Sequence, residues 1–277
     1  MANIWMWLWW EPFGMNMTPH VRPRVVAIHQ PTFFPWLGYF NKVAYADTFI
    51  VLDSVPISKT GGTWLNRVRL LLNGRVSWVT MPIVRAYHGA QLIRHVQMDG
   101  VAWRGKLLRT LQGAYGRAPH FEMVFPLVAA LIKNQTDSLA EFNLSAIRAL
   151  SVSIGLDPAK LIVGSTLGVS GKGSELLVEL VKSVGGTAYL CGDGAAGYQE
   201  DEKFHDARID VVYQRFQHPV YQQRGASEFR EGLSIVDTLM NCGFDATRDL
   251  VLGSKPSMNG EYLGEATSVQ RLSPERA

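Results

Sequence analysis

The stretch "RVVAIHQPTFFPWLGYFNKVAYADTFIVLD", residues 24–53, decides how the fold begins. Its first residues are a short β-branched run, which predicts a buried strand. A loop bounded by Pro31 and Pro35 follows, residues 37–46 can form a helix, and residues 48–53 have the pattern of a second strand. A strand, a loop, a helix and a strand in this order predict the first unit of a parallel sheet.

The rest of the chain alternates strand-like and helical segments. Residues 67–83 hold Asn73-Gly74 between two strand-like runs, which predicts a β-hairpin. We therefore predict an α/β fold, in which one domain contains a mixed, largely parallel sheet flanked by helices. The hairpin is expected to make the sheet mixed. Residues 24–253 lack a linker and are expected to be this domain, between a disordered extension (1–23) and a loose tail (254–277).

Four helical segments are clear enough to be given bounds. Amphipathic patterns predict helices over residues 103–115, 121–133 and 139–154. The sequence "SIVDTLMN" predicts a short helix that Ser234 caps, with Asp237 three residues later in the position of a capping box.

Composition excludes several classes of protein. The 277 residues carry 27 basic and 24 acidic side chains, and this net charge of +3 is too mild for binding a nucleic-acid backbone. Cys191 and Cys242 form neither a disulfide framework nor a zinc motif, so we expect a reduced, cytoplasmic setting. The seven histidines lack metal-binding spacings, no metal site is predicted, and no motif requires a cofactor.

The first residues need a separate interpretation. Residues 4–10 are a tryptophan-rich apolar run, far shorter than the roughly 20 residues that span a bilayer. We predict no membrane span and expect translation to begin at Met15 or Met17. An interfacial membrane anchor is the alternative.

The proline-bounded loop is the first candidate site. Ligands of α/β sheets bind beyond the carboxyl ends of strands, and His29 lies at that end of the first predicted strand. Pro31 and Pro35 fix the loop, as a pocket wall requires. His29 and Gln30 would supply polar groups. The apolar wall would consist of Phe33, Phe34, Trp36 and Tyr39. In the alternative interpretation, the loop is a stiff corner whose aromatic side chains belong to the core.

Two further stretches could bind an anion. Asp53 ends the second predicted strand, where it could orient His29 or bind a hydroxyl or an amine, and Arg67 could hold a carboxylate or a phosphate. An Asp–Arg pair that braces the loop is equally compatible with the sequence. Glycines and Lys172 precede a predicted helix, whose N–H groups could bind an anion together with the ammonium. Helix capping alone is the simpler explanation.

Two later strand ends carry reactive side chains. Cys191 precedes a glycine-rich loop that contains Asp193, and it could act as a nucleophile if a histidine lowered the thiol pKa. A small buried residue is the commoner role of such a cysteine. Another strand leads to His218 and Tyr221. The histidines at the ends of two strands, His29 and His218, could act as acid and base.

These motifs resemble the WbqC-like family, bacterial proteins often encoded in O-antigen, other surface-polysaccharide or natural-product clusters. The resemblance runs from about residue 24 to about residue 243. It is carried by "IHQPTFFPWLGYFNKVAYADTFIVLDSV", "WLNRVRL", "GKGSELL", "YLCGDGAAGY", "VVYQRFQHPVYQQ" and "GLSIVDTLMNCG". The resemblance implies acyl or aminoacyl (glycyl) transfer to amino sugars. Cys191 departs from the family pattern, which favours serine at this position.

The family motif residues are present in this chain. They are His29, Gln30, Pro35, Gly38, Tyr39, Lys42, Asp53, Asn66, Arg67, Lys172, Gly192, Tyr198, His218, Tyr221, Ser234 and Asp237. The leading hypothesis is a cytoplasmic enzyme that transfers an acyl or aminoacyl group to an amino group of a small polar acceptor, such as a nucleotide-linked amino sugar.

On this hypothesis His29 is the general base, Asp53 orients it, and His218 is the third catalytic residue. Arg67 and Lys172 hold a carboxylate or phosphate of the substrate, while Gln30 or the backbone of residues 192–194 stabilises an oxyanion. The other expected substrate-binding residues are Phe34, Trp36, Tyr39, Lys42, Asn66, Asp193, Tyr198 and Tyr221.

Two alternatives remain open. The first is a hydrolase or an amide-forming enzyme that uses Cys191 or Ser234 as a covalent nucleophile. The second is a non-catalytic binding or scaffold protein, whose loop would expose Phe33, Phe34 and Trp36 to a partner protein. The oligomeric state is not predicted.

Overall fold

A computed structural model of the chain describes residues 22–58, 63–85, 89–192, 199–258 and 261–262. Within these residues five strands run parallel: β1 (Val25–His29), β2 (Thr48–Val51), β5 (Leu161–Val163), β6 (Ala188–Cys191) and β7 (Asp210–Tyr213). Four strands are antiparallel: β3 (Arg67–Leu72), β4 (Arg75–Thr80), β8 (Ser257–Met258) and β9 (Glu261–Tyr262). The main sheet has the order β5-β2-β1-β6-β7-β8-β9.

Seven α-helices are found in the described part of the chain. They are α1 (Leu37–Tyr45), α2 (Ala102–Tyr115), α3 (Phe121–Ile132), α4 (Leu139–Ser153), α5 (Gly173–Ser183), α6 (Asp201–Asp206) and α7 (Ile235–Leu252). The predicted bounds of α2, α3 and α4 are confirmed to within one residue at each end.

Side chains alternate between two apolar layers along the central strand. In β1, Val25 and Ala27 face the layer that contains α1, α2, α3, α4 and α7. Val26 and Ile28 face the opposite layer, which contains α5 and α6. Because successive residues of a strand point to opposite faces, four consecutive apolar residues place β1 inside the fold. The predicted α/β architecture is confirmed.

The strand order creates a topological switch point between β1 and β6. The chain leaves β1 through α1 and enters β2 on one side of it, whereas it leaves β6 through α6 and enters β7 on the other side. The α1 and α6 helices lie on opposite faces of the sheet. The connections after β1 and after β6 therefore diverge, and a crevice forms at the carboxyl ends of these two strands.

The hairpin forms as predicted but in a different place. Asn73 and Gly74 have φ values of +52° and +75°, as a two-residue type I′ turn requires. However, β3 and β4 form a separate two-stranded sheet. They cannot extend the main sheet at β2, because β1 and β5 already occupy both edges of that strand. The antiparallel part of the main sheet is instead the β8–β9 pair, which lies in the segment expected to be a loose tail.

Helix α7 extends beyond the short helix predicted around Ser234. Its N-terminal cap is as predicted, since the Ser234 Oγ accepts a hydrogen bond from the Val236 N–H at 3.2 Å. The helix continues to Leu252 across Gly243, where φ is +79° and ψ is −177°. Glycine adopts this conformation at little cost, so two helical segments follow one another with a kink between them.

Candidate functional site

The His29 side chain lies at the switch point, at the end of β1. Its partly buried ring packs edge-on against Tyr39 of α1, with ring centroids 5.0 Å apart. The His29 Nδ1 is 3.0 Å from the Gln30 carbonyl oxygen. A carbonyl oxygen can only accept a hydrogen bond, so Nδ1 carries the proton of the neutral ring. The Nε2 atom is consequently an unprotonated acceptor.

Lys42 places a positive charge beside this imidazole. It follows Tyr39 by three residues on α1 and is 4% exposed. Burial and the nearby Lys42 ammonium lower the His29 pKa to about 3, because both disfavour a second positive charge. A β-carbon placed on Gly192 would lie 3.6 Å from the Lys42 Nζ. The ammonium therefore lies close to the end of β6 as well as to His29.

A cavity of about 420 Å³ adjoins His29 and Gln30 on the α5 side of the sheet. Its other walls are largely apolar and include Leu52, Leu176 and Tyr189. The first turn of α5 also lines it through Gly173 and Ser174. The free N–H groups of a helix N-terminus favour a negatively charged group. The cavity can thus accept a small molecule whose anionic end faces α5.

Lys172, which was predicted to bind an anion at the start of this helix, does not contribute to the cavity. Lys172 is the N-cap residue of α5, is exposed, and is not among the residues that line the cavity. The Ser174 Oγ accepts a hydrogen bond from the Glu200 N–H at 3.0 Å. The α5 contribution to the cavity therefore comes from its first turn rather than from the lysine.

Asp53 does not form the predicted hydrogen bond to His29. Its buried carboxylate binds Ser165, with Oδ1 2.9 Å from the Ser165 backbone nitrogen and Oδ2 2.7 Å from the Ser165 Oγ. Ser165 belongs to the 3-10 helix Gly164–Leu167 that follows β5. Asp53 therefore joins the ends of β2 and β5, while the Gln30 carbonyl orients the imidazole.

Asn66 and Arg67 begin the hairpin and do not line the cavity. The Asn66 Nδ2 donates a hydrogen bond to the Met81 carbonyl at 2.8 Å. The Arg67 guanidinium lies over the Trp78 ring, 4.1 Å from its centroid. Both side chains hold the hairpin in place, in contrast to the predicted contact with substrate.

The aromatic residues of the proline-bounded loop are mostly core. Phe33 and Phe34 are buried and pack against Phe142 of α4. Tyr39 is fully buried. Trp36 is partly buried and lies over Gly38, where a β-carbon would overlap the indole ring. Each of the two interpretations of the loop therefore holds for part of it. His29 and Gln30 line a cavity, whereas most of the aromatic side chains belong to the core.

His218 belongs to a neighbouring cluster. Its ring lies against Trp36, with centroids 5.0 Å apart, and its Nδ1 accepts a hydrogen bond from the Gly232 N–H at 3.4 Å. Burial lowers the His218 pKa, Glu231 opposes this shift, and Arg69 adds to it. His29 and His218 make no direct contact in the described structure, and His218 is not among the residues that line the cavity beside His29, so the predicted acid and base do not line one site.

Tyr221 takes part in a hydrogen-bond network around Asp237 that the sequence did not predict. The Asp237 carboxylate is fully buried and accepts hydrogen bonds from the Tyr115 hydroxyl at 2.8 Å and the Tyr221 hydroxyl at 2.7 Å. Burial raises the Asp237 pKa, and the hydroxyls oppose this shift. Asp237 therefore does not complete a capping box. The sequence feature that could have indicated this network is Asp237 itself, an acidic residue among the apolar residues that follow Ser234.

Neither predicted nucleophile is activated. Cys191 is fully buried, its Sγ lies 3.5 Å from the Val212 carbonyl, and burial raises its thiol pKa to about 12. The Ser234 Oγ donates a hydrogen bond to the Phe34 carbonyl at 2.8 Å in addition to capping α7. Asp193 and Tyr198 lie outside the described residues.

The fold has a crevice at the switch point of a parallel sheet, which is where open α/β proteins usually bind their ligands. The chain belongs to the WbqC-like protein family, whose model matches residues 30–249. The uncharacterized protein Rv1507c of Mycobacterium tuberculosis is 28% identical over 225 residues, which cover 80% of this chain and 96% of that protein. No solved structure matches the chain.

In the described part of the chain, no three side chains of His, Cys, Asp or Glu lie together so that they could hold a metal ion. In addition, no helix among the described residues is long and apolar enough to cross a membrane.

Proposed function

We propose that the protein is a cytoplasmic enzyme that transfers an acyl or aminoacyl group to an amino group of a small polar acceptor. A nucleotide-linked amino sugar is the acceptor class that we favour. The observation that carries this proposal is the unprotonated Nε2 of His29 beside the buried Lys42, at the switch point of the sheet.

The reaction needs a proton acceptor. When an amine attacks the acyl carbon of an activated donor such as a thioester, a C–N bond forms and the bond from that carbon to the donor's leaving group breaks. The amine nitrogen loses a proton, which His29 Nε2 can accept and then pass to the leaving group. A base with a pKa of about 3 is too weak for this step near neutral pH. Burial is the larger cause of this low pKa and Lys42 the smaller one, and an anionic substrate group in the cavity would offset the field of the ammonium and raise the His29 pKa. Substrate binding would then strengthen the base.

The reaction also needs positive charge where an oxyanion forms. Lys42 is buried and does not line the cavity, so its ammonium would act on an acyl oxygen there through a field that water screens poorly rather than through direct contact. The first turn of α5 favours a second negative group in the adjoining cavity. A cavity of about 420 Å³ is within the usual range for small-molecule sites.

The two alternative functions have less support. A covalent mechanism through Cys191 or Ser234 would need an accessible nucleophile beside a base, and both side chains are buried in structural hydrogen bonds. The scaffold hypothesis expects Phe33 and Phe34 to be exposed, and both are buried.

The test compares three proteins by mass spectrometry of the products. Each is incubated with acyl-coenzyme A or activated aminoacyl donors and UDP-linked amino sugars. The wild type should form an amide, and His29→Gln should be slower by about 100-fold or more, because glutamine cannot take up a proton. The exposed His95 provides the control variant His95→Gln, which should retain the rate. Normal transfer by His29→Gln would contradict the proposal.

A further inference from the structure

A second, larger cleft of about 1260 Å³ shares no lining residue with the cavity beside His29. Three parts of the chain form its walls: the β3–β4 turn, the C-terminal end of α2 with the residues that follow it, and residues 220–229. Asn241 of α7 also lines it.

Hydrogen bonds and glycines fix the shape of this cleft. The Gln223 side chain donates to the Arg230 carbonyl at 2.8 Å and accepts from the Arg230 N–H at 2.7 Å. The Arg224 N–H donates to the Asn241 Oδ1 at 3.0 Å. Gly74 and Gly225 both have positive φ, and a β-carbon at Gly74 would lie 2.7 Å from the Gly225 carbonyl oxygen. The walls are thus in place before a ligand binds, which lowers the entropic cost of binding.

The charge of the lining favours an anion. Arg117 and Arg224 line two different walls, both are exposed, and neither forms an ion pair with another described residue. Glu228 is the acidic residue in the described lining, and its carboxylate lies 3.5 Å from the Arg230 guanidinium. Arginine binds phosphate oxygens in pairs through its planar guanidinium. Two arginines from different parts of the lining suit a ligand that offers several phosphate oxygens.

An aromatic corner adds an apolar surface. Tyr221 and Phe229 both line the cleft and pack edge to face, with ring centroids 5.4 Å apart. The hydrogen bond from the Tyr221 hydroxyl to Asp237 fixes that ring. A free phosphate or diphosphate would leave this surface uncovered, whereas a ligand with a base or a sugar could pack on it.

We infer that this cleft binds a nucleoside diphosphate or a molecule that contains one. Arg117 and Arg224 bind the diphosphate, and the nucleoside packs against Tyr221 and Phe229. The cleft is larger than the 300–1,000 Å³ or so of most small-molecule sites, which suits a ligand of nucleotide size or above. This inference does not rest on the transfer reaction.

The test is isothermal titration calorimetry of the full chain with UDP, ADP and inorganic pyrophosphate. At least one nucleotide should bind saturably and more tightly than pyrophosphate. Arg117→Gln and Arg224→Gln should each weaken it about 10- to 100-fold, the usual loss for a charge-assisted hydrogen bond. Arg109→Gln is the matched control, because Arg109 is exposed on α2 but does not line the cleft.

Three results would overturn the inference: no saturable binding of either nucleotide, pyrophosphate binding as tight as nucleotide binding, or equal weakening by Arg109→Gln. Circular dichroism of each variant excludes loss of folding as the cause. His29→Gln separates this inference from the proposed reaction. This variant should slow transfer by about 100-fold or more and leave nucleotide affinity within about twofold, since His29 lies outside this cleft.

Discussion

The hydroxyls of Tyr39, Tyr115 and Tyr221 differ in what they bind. The Tyr115 and Tyr221 hydroxyls both donate to Asp237, at 2.8 Å and 2.7 Å. The Tyr39 hydroxyl is also buried but has no hydrogen-bond partner in the described structure. A buried polar atom without a partner costs free energy, whereas a hydroxyl on a buried carboxylate offsets the cost of burying that charge.

These contacts predict that replacing each tyrosine by phenylalanine changes stability differently. Tyr221→Phe should lower the free energy of unfolding by about 1.5–3 kcal/mol, because it removes a hydrogen bond to a charged group. Tyr39→Phe should change it by less than about 1 kcal/mol or raise it, because it removes an unpaired hydroxyl. Urea denaturation measures both. Equal destabilisation would show that Tyr39 has a partner.

His29 should make stability depend on pH. Its pKa falls from about 6.5 in the unfolded chain to about 3 in the folded protein, so the unfolded chain binds the proton more readily. The wild type should therefore lose stability relative to His29→Gln as the pH falls from about 6.5 to about 3. Thermal melts of both proteins across this range measure the difference. A constant difference would contradict the depressed pKa.

The place of His29 and Gln30 in the site could be predicted from the sequence. His29 and Gln30 follow a strand, and residues at the carboxyl ends of parallel strands share one edge of a sheet. The partner of Asp53 could not be predicted, because Ser165 lies 112 residues away and joins it only through the β2–β5 pairing. The Asp237 network likewise spans 122 residues. Such contacts depend on the three-dimensional arrangement rather than on local pattern.

Among the helices and strands, the sequence was sufficient to predict those elements whose conformation depends on neighbouring residues alone. The hairpin turn needs positive φ at two adjacent residues, and Asn73-Gly74 supplies both. Helices α2 to α4 have a clear apolar periodicity, and their bounds were predicted closely. The short α6 and the continuation of α7 past Gly243 were not predicted. A six-residue helix is too short for periodicity to show, and a glycine usually ends a helix.

The contact between the hairpin turn and residue 225 can be tested with two glycines. Gly74→Ala should destabilise the protein by roughly 2–3 kcal/mol, because it adds a clash with the Gly225 carbonyl to the cost of positive φ. Gly100 also has positive φ but has no atom within 4 Å of an added β-carbon. Gly100→Ala should therefore cost only about 1–2 kcal/mol. Equal losses in urea denaturation would argue against the close contact.

At the scale of the whole molecule, the two apolar layers share one sheet. The expectation that residues 24–253 form one domain predicts that both layers unfold together. Leu150 of α4 and Leu180 of α5 are fully buried in opposite layers. Each change to alanine should lower the free energy of unfolding by about 2–5 kcal/mol and shift a single common transition.

The control for this prediction is Val152→Ala, since Val152 is 52% exposed on the same helix as Leu150. It should change the stability by less than about 0.5 kcal/mol. Two separate transitions in a calorimetric scan, each sensitive to one leucine variant, would contradict a single cooperative domain.

The proposed reaction requires His29 to be a neutral acceptor whose basicity is lowered by burial and by Lys42. The decisive measurement is NMR of the imidazole nitrogens as a function of pH, with Lys42→Met as the comparison. We expect a proton on Nδ1, a pKa of about 3 in the wild type, and a higher pKa in Lys42→Met, because the nearby positive charge is removed. An ordinary pKa near 6.5 with the proton on Nε2, unchanged in Lys42→Met, would contradict it.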